Sequence, residues 1–161
     1  MTAISRQSVL FGEEQAEATS DDVFTPRWVF DRLGLTFDLD VAAPPGGIAW
    51  IPAERYLTKA DDALSQPWHG RVWMNPPYSQ PNLWVRRFIE HGNGIALLPT
   101  SKARWFSDLW QAADGIVVHE PFDFVAPQTS YGEKKSIFIM TFFAAMGDDC
   151  VKALRNLGHV R

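Results

Sequence analysis

The sequence predicts an α/β domain with a mainly parallel sheet, and three observations carry that prediction. Short apolar runs at Val72–Met74, Gly94–Thr100 and Gly115–His119 alternate with stretches of helical period, the pattern of strands joined by crossover helices. These runs are apolar throughout rather than alternating, as strands covered on both faces are. Two of them stop at prolines, Pro76 and Pro99, which cannot extend a sheet ladder.

Residues 1–20 are polar with no sustained apolar period and are expected to form a flexible N-terminal arm, leaving 21–161 as one domain. Thr25-Pro26 introduces the first helix, Arg27 to Leu33, with Thr25 expected as N-cap, Pro26 at the first helical position and Gly34 as the stop. Thr36 to Ala43 alternates and then turns apolar, which predicts a strand running into the turn Pro44-Pro45-Gly46-Gly47. Glycines after a strand let backbone approach a nucleotide-type ligand closely. Arg55 to Leu64 carries the acidic pair Asp61-Asp62, and Trp68 precedes the strand Val72–Met74.

Pro81 to Glu90 reads as a helix with Leu83, Trp84, Phe88 and Ile89 on its apolar face. Lys102 to Ala112 reads as another, with Trp105, Phe106, Leu109 and Trp110 as core. Ser136 to Phe143 is the longest apolar strand, and Asp149 to Leu157 is a terminal helix followed by Gly158.

Composition narrows the function. Hydrophobic residues at 46% and charged residues at 21% fit a soluble globular protein. No apolar run approaches a membrane span and no apolar signal segment stands at the N-terminus, so a cytoplasmic location is expected. The single cysteine, Cys150, excludes an internal disulfide and reads as a packing residue. His69, His91, His119 and His159 are scattered as loop or surface residues without metal-ligand spacing, and no metal is expected. A net charge of -4 counts against unaided wrapping of duplex DNA. Local positive charge remains, with Arg86, Arg87, Lys102, Arg104, Lys134 and Lys135 falling near the carboxyl-end loops or on adjoining helices. Of these, Lys102, Arg104, Lys134 and Lys135 are the candidate DNA contacts. A homodimer or a helper protein is a candidate source of further positive surface.

The chemistry concentrates at Asn75-Pro76-Pro77-Tyr78. A proline forces the preceding residue to be extended, so Asn75 and Pro76 should project oxygens from the carboxyl end of their strand, the edge at which open α/β sheets bind ligands. The amide oxygen and the Pro76 carbonyl are two acceptors suited to one NH2 group. Together they would favour a tetrahedral nitrogen with a free lone pair. Tyr78 can lay its ring on a planar base or amide.

These residues resemble a family. Asn75-Pro76-Pro77-Tyr78 is similar to the catalytic motif of S-adenosylmethionine-dependent amino-methyltransferases, and its flanks resemble the phage-type DNA N6-adenine methyltransferases, often called the Dam family. The likeness runs from about Phe24 to near Phe143 and is strongest between Thr25 and Tyr78. It implies a minimal Rossmann-like class I methyltransferase fold, seven-stranded in the family, with an antiparallel last strand. Because the interval from Asp40 to Asn75 is short, helices there are expected to be reduced or lost.

The resemblance also implies S-adenosylmethionine as cofactor, held by Thr25, Pro26, Asp40, Ala42, Gly46 and Asp62, with Asp61 the second choice to Asp62. It implies transfer of a methyl group to adenine N6 in DNA, with Asn75, Pro76, Pro77 and Tyr78 catalytic and Tyr78 and Phe124 stacking on the base, Phe122 being the alternative to Phe124. Two departures stand out: prolines displace the glycines of the cofactor loop, and Pro121 occupies the place of an arginine. Two other readings of the motif are a protein glutamine N5-methyltransferase, whose substrate also presents a planar NH2 group, and an inactive binding module with the same fold. The Thr25-Pro26 pair and Asp38-Leu39-Asp40-Val41-Ala42-Ala43 favour adenine.

Overall fold

The computed structural model describes residues 23–125, 134–135 and 140–161. The arm expected over residues 1–20 lies outside them, as do Gln128 to Glu133 and the first part of the expected last strand, Ser136 to Ile139. In chain order the elements are α1 (Arg27–Leu33), β1 (Phe37–Asp40), β2 (Ala53–Tyr56), a 3-10 turn (Lys59–Asp61), β3 (Val72–Met74) and α2 (Pro81–His91). After these come β4 (Gly94–Pro99), α3 (Arg104–Ala112), β5 (Gly115–Val117), β6 (Phe124–Val125), β7 (Lys134–Lys135), β8 (Thr141–Met146) and α4 (Asp148–Leu154).

Six strands form one sheet in the order β2-β1-β3-β4-β8-β5. The pairs β1 with β2, β1 with β3 and β3 with β4 are parallel. The strand β8 is antiparallel to both β4 and β5, between which it is inserted. This is the expected α/β architecture with an antiparallel last strand; among the described residues the sheet has six strands, against the seven implied by the resemblance. Between β1 and β3 the chain makes only β2 and the 3-10 turn, so the helices there are indeed lost. The outer edge of β5 is covered by Arg161, whose N–H donates to the Ile116 carbonyl at 3.0 Å while the Ile116 N–H donates back at 3.3 Å.

Apart from the edge strand β2, the strands of the six-stranded sheet are buried on both faces, and their alternation divides the core. Trp73, Ile95, Leu97, Phe143 and Ala145 face one layer with Phe30, Leu33, Cys150 and Leu154. Val72, Met74, Ala96, Leu98 and Ala144 face the other with Val85, Phe88 and Leu109. A side-chain period of two makes this division automatic once register is fixed. Cys150, 1% exposed, is the packing residue it was expected to be.

Several boundaries differ from expectation for physical reasons. The helix α1 begins at Arg27 with Pro26 in the N-cap place, and no side chain caps it. Thr25 therefore does not cap; its hydroxyl is used elsewhere. The strand β2 escaped sequence reading because three of its four side chains are exposed, so it shows no apolar period. The strand β8 continues past Phe143 through Ala144, Ala145 and Met146. Trp110 is 40% exposed and Leu83 50%, so neither belongs to the core. The Arg161 guanidinium lies 4.1 Å from the Trp110 ring centroid and shelters it.

Candidate active site

The parallel strands β1 and β3 are neighbours, with Asp40 opposite Trp73, so their carboxyl ends place Asp40 and Asn75 side by side at one edge of the sheet. A cavity of about 760 Å³ opens there, with Thr25, Asp40, Ala42, Asp62, Asn75 and Pro77 among its walls. Sites for small molecules commonly span roughly 300–1,000 Å³. Residues far apart in the chain thus share one space, brought together by strand order.

Asn75 is half-buried. Its Nδ2 donates to the Val23 carbonyl at 3.2 Å and to Thr25 Oγ1 at 3.5 Å. Both bonds use the nitrogen end of the amide, which leaves Oδ1 as the acceptor not engaged by them. Thr25, 1% exposed, is held in turn through its carbonyl, which accepts the Trp50 indole N–H at 2.9 Å. Phe24 exchanges two backbone bonds with Val125, both 2.9 Å, so the segment preceding α1 is fastened to β6.

Asp40 is 3% exposed, and its Oδ1 accepts the Ala42 N–H at 3.2 Å. Burial disfavours its anion and pushes its carboxyl up to about 7, against the smaller lowering effect of the Ala42 bond. The acidic pair Asp61-Asp62 has separate duties. Asp61 accepts both the Thr58 N–H at 2.7 Å and the Thr58 hydroxyl at 2.8 Å, and these bonds hold its pKa below the usual value. Asp62 caps the 3-10 turn in a left-handed conformation, φ 50°, the only non-glycine with positive φ among the described residues. Its carboxylate accepts the Ser65 hydroxyl. Asp62 faces the cavity, whereas Asp61 is spent on the turn.

Other expected site residues lie elsewhere. Pro26 is behind the wall that Thr25 forms, and Gly46 is not on the cavity surface, where Pro44 and Pro45 stand instead. Gly46 and Gly47 have φ 82° and 70° and make the turn itself, closed by the Gly47 N–H on the Pro44 carbonyl at 2.9 Å. Any Cβ on Gly47 would come within 2.9 Å of the Tyr56 ring, so glycine is needed here for the turn rather than for a ligand. Pro76 is buried, and neither it nor Tyr78 is on the cavity wall. The half-buried Tyr78 donates its hydroxyl to the Leu97 carbonyl at 3.4 Å, and burial drives its phenol pKa upward. This bond ties the Pro-Pro bend to β4.

The base-stacking expectation for Phe124 requires correction. The residue is 2% exposed and packs in the core, its ring centroid 5.0 Å from that of Phe122. A stacking ring needs a free face, and burial removes it. The alternative Phe122 is half-buried, its ring tilted by 31° to that of His119 at 4.5 Å and edge-on to Trp28 at 5.5 Å.

The basic residues divide similarly. Lys102 and Arg104 are exposed beyond the carboxyl end of β4, with Arg104 Nε 3.7 Å from the Asp108 carboxylate. The backbones of Lys134 and Lys135 pair with Val125 and Phe124, next to the Phe24 bridge. Arg87 instead lies 5.3 Å over the Trp68 ring and donates to the Gln66 carbonyl, a packing role.

Three contributors were missed by sequence reading: the Val23 carbonyl, Trp50 and the cavity-facing Trp84. Trp50 sits in a Pro/Gly-rich stretch without periodicity, and Trp84 was read as core from its helical spacing. His119 lies in the loop after β5, as expected, and is half-buried there, with Nδ1 2.6 Å from the Glu120 carbonyl and Nε2 2.8 Å from Thr141 Oγ1. The carbonyl can only accept, so Nδ1 carries the proton; burial lowers the pKa of the ring. Among the described residues, no group of three or more His, Cys, Asp or Glu could hold a metal ion, and no helix is long and apolar enough to cross a membrane.

Comparison with known proteins converges on one family. The sequence profile of the DNA N-6-adenine-methyltransferase (Dam) family matches residues 13–142. A DNA N-6-adenine-methyltransferase of Escherichia phage T1 is 33% identical over 117 residues, which cover 66% of this chain and 48% of that protein. One from Haemophilus phage HP1 (strain HP1c1) is 32% identical over 104 residues, 58% of each chain. The matched region therefore spans about half the length of these relatives. No solved structure matches the chain.

Proposed function

The chain belongs to the DNA N-6-adenine-methyltransferase (Dam) family, and from that premise we propose that it transfers a methyl group from S-adenosylmethionine to the N6 amine of adenine in DNA. The observation that carries the proposal is the continuous cavity lined by Asn75, Asp40 and Asp62, which supports placing the amine at its Asn75 end and the cofactor toward Asp40 and Asp62. Its volume of about 760 Å³ and its mixture of buried carboxyl, hydroxyl and apolar walls fit such a cofactor. Thr25, Asp40, Ala42 and Asp62 would hold it. When bound, it supplies a methyl group activated by a sulfonium.

The chain's own residues then act on the amine. Asn75, on the cavity wall, would accept one N–H of adenine N6 through Oδ1. The Pro76 carbonyl, off that wall in the ligand-free chain, would accept the other once the base is seated, which would localise the nitrogen lone pair. Neither group is a base at neutral pH, so their contribution is polarisation and alignment, which can lower a barrier greatly. The methylated nitrogen, cationic once the methyl–sulfur bond has broken, would release its extra proton to water. Adenine reaches the site from a single strand or by leaving the duplex. Tyr78 lies off the cavity wall with its hydroxyl on the Leu97 carbonyl, so its proposed part is to hold the bend that carries Asn75; stacking on the base would need that bend to open. Lys102, Arg104, Lys134 and Lys135 are proposed to meet phosphates, and the charge of -4 favours a second copy or a helper protein as a further source of positive surface. Action on DNA accords with a cytoplasmic location.

The names of both phage relatives support adenine over glutamine as the target. The test is incubation with methyl-labelled S-adenosylmethionine and, in parallel, DNA and protein substrates. Label recovered as N6-methyladenine is the expected result. Label confined to protein, or no transfer despite cofactor binding measured by calorimetry, would overturn the proposal.

A further inference from the structure

We propose that the Val23 carbonyl and the Thr25 hydroxyl set the direction in which the Asn75 amide points, making Thr25 a positioning residue for that amide. The catalytic consequence rests on the function proposed above; the orientation itself does not. A side-chain amide has one end that only accepts and one that only donates, and only the accepting end can receive an N–H from an amine. Something must therefore choose the end presented to the cavity.

Val23 makes that choice. Its carbonyl can only accept, so the nitrogen of Asn75 has to face it, at 3.2 Å. Turning the amide over would set two oxygens against each other and lose the bond. Thr25 Oγ1, at 3.5 Å from the same nitrogen, is a second acceptor on the same side. Because the hydroxyl accepts from Asn75 through a lone pair, its proton is left for an acceptor in the cavity that Thr25 also lines. An acceptor there would draw the proton outward and direct the lone pairs at Nδ2, strengthening the preference. The holder is itself fixed from two directions, by the Phe24–Val125 bridge and by the Trp50 indole on the Thr25 carbonyl.

The experiment compares Thr25→Val, which keeps the shape and removes the hydroxyl, with Thr25→Ser, which keeps the hydroxyl. The first readout is solvent exchange of the Asn75 side-chain NH2 protons by NMR on the free protein, with the resonance identified by its absence in Asn75→Ala. Thr25→Val should speed this exchange on the order of tenfold and Thr25→Ser should restore it. Trp50→Phe, which releases the Thr25 carbonyl without touching the amide, should move exchange in the same direction and keeps the test available if the valine variant does not fold. The second readout is methylation: Thr25→Val should lower kcat about tenfold with the KM for DNA nearly unchanged, and serine should rescue it. Equal exchange in wild type and Thr25→Val, or a serine variant as fast as the valine one, overturns the proposal. A wild-type protein that methylates no adenine would defeat the functional reading, while the exchange data would still decide the orientation.

Discussion

Asn75 and aspartate differ at the atom that faces Val23, and that difference decides what the position tolerates. In Asn75→Asp a carboxylate oxygen would replace the nitrogen 3.2 Å from a carbonyl that cannot donate. An unsatisfied contact of this kind costs about 1–3 kcal/mol, roughly ten- to a hundredfold in kcat, and the loss should shrink as pH falls and the acid regains a proton to donate. A pH–kcat profile of the variant checks this. Asp40 gives a second pH effect, of definite sign. Its carboxyl ionises near 3.8 when unfolded and at about 7 in the fold, so between these values the folded chain keeps a proton that the unfolded chain has released. Stability should fall as pH rises through that window, and the full cost should be present above it. Asp40→Asn should therefore raise the urea midpoint of the ligand-free protein at pH 8 and change it little at pH 4. The preference for Asp62 over Asp61 came from sequence only by resemblance; in the structure Asp62 lines the cavity while Asp61 bonds Thr58.

At the scale of elements, the bend after β3 is secured to β4 by the Tyr78 hydroxyl on the Leu97 carbonyl. Tyr78→Phe should cost about 1 kcal/mol in urea unfolding, with methylation reduced less than by removal of the ring. What the sequence showed of these elements followed burial. The strands β3 and β4, covered on both faces, announced themselves as apolar runs and were placed correctly, β3 to the residue. The edge strand β2 is held by main-chain pairing to β1 and left no side-chain pattern to read. Phe124 shows the converse difficulty. In a two-residue strand nothing local says whether a ring faces a cavity or the core, and here partners distant in sequence turned it inward.

For the molecule as a whole, charge and site are arranged on different scales. The chain is net negative, yet Lys102 and Arg104 stand exposed beyond β4, at the sheet edge where Asn75 lies. If both meet phosphates, replacing both by alanine should weaken DNA binding and reduce the slope of log affinity against log salt by about two, leaving cofactor affinity intact. Titration at several salt concentrations decides it; an unchanged slope would remove both residues from the interface. The parallel sheet with its inserted antiparallel strand was legible from alternating patterns and resemblance. The cavity was not, because its walls come from the segment before α1, the turn after β1, the 3-10 turn and the bend after β3, and only the closed fold makes them neighbours.

The absence of an α-helix between β1 and β3 has a consequence for how this enclosure moves. The rim carrying Asp62 rests on one turn pinned by a reciprocal Thr58–Asp61 clasp, by Gln66 on the Asp61 carbonyl and by Trp68 on the Ala63 carbonyl. Side-chain pegs of this sort can be withdrawn singly, whereas a strand ladder yields only as a unit. The Asp62 side of the cavity accordingly depends on single side-chain bonds, whereas Asn75 follows directly on β3, which is laddered to β1 and β4.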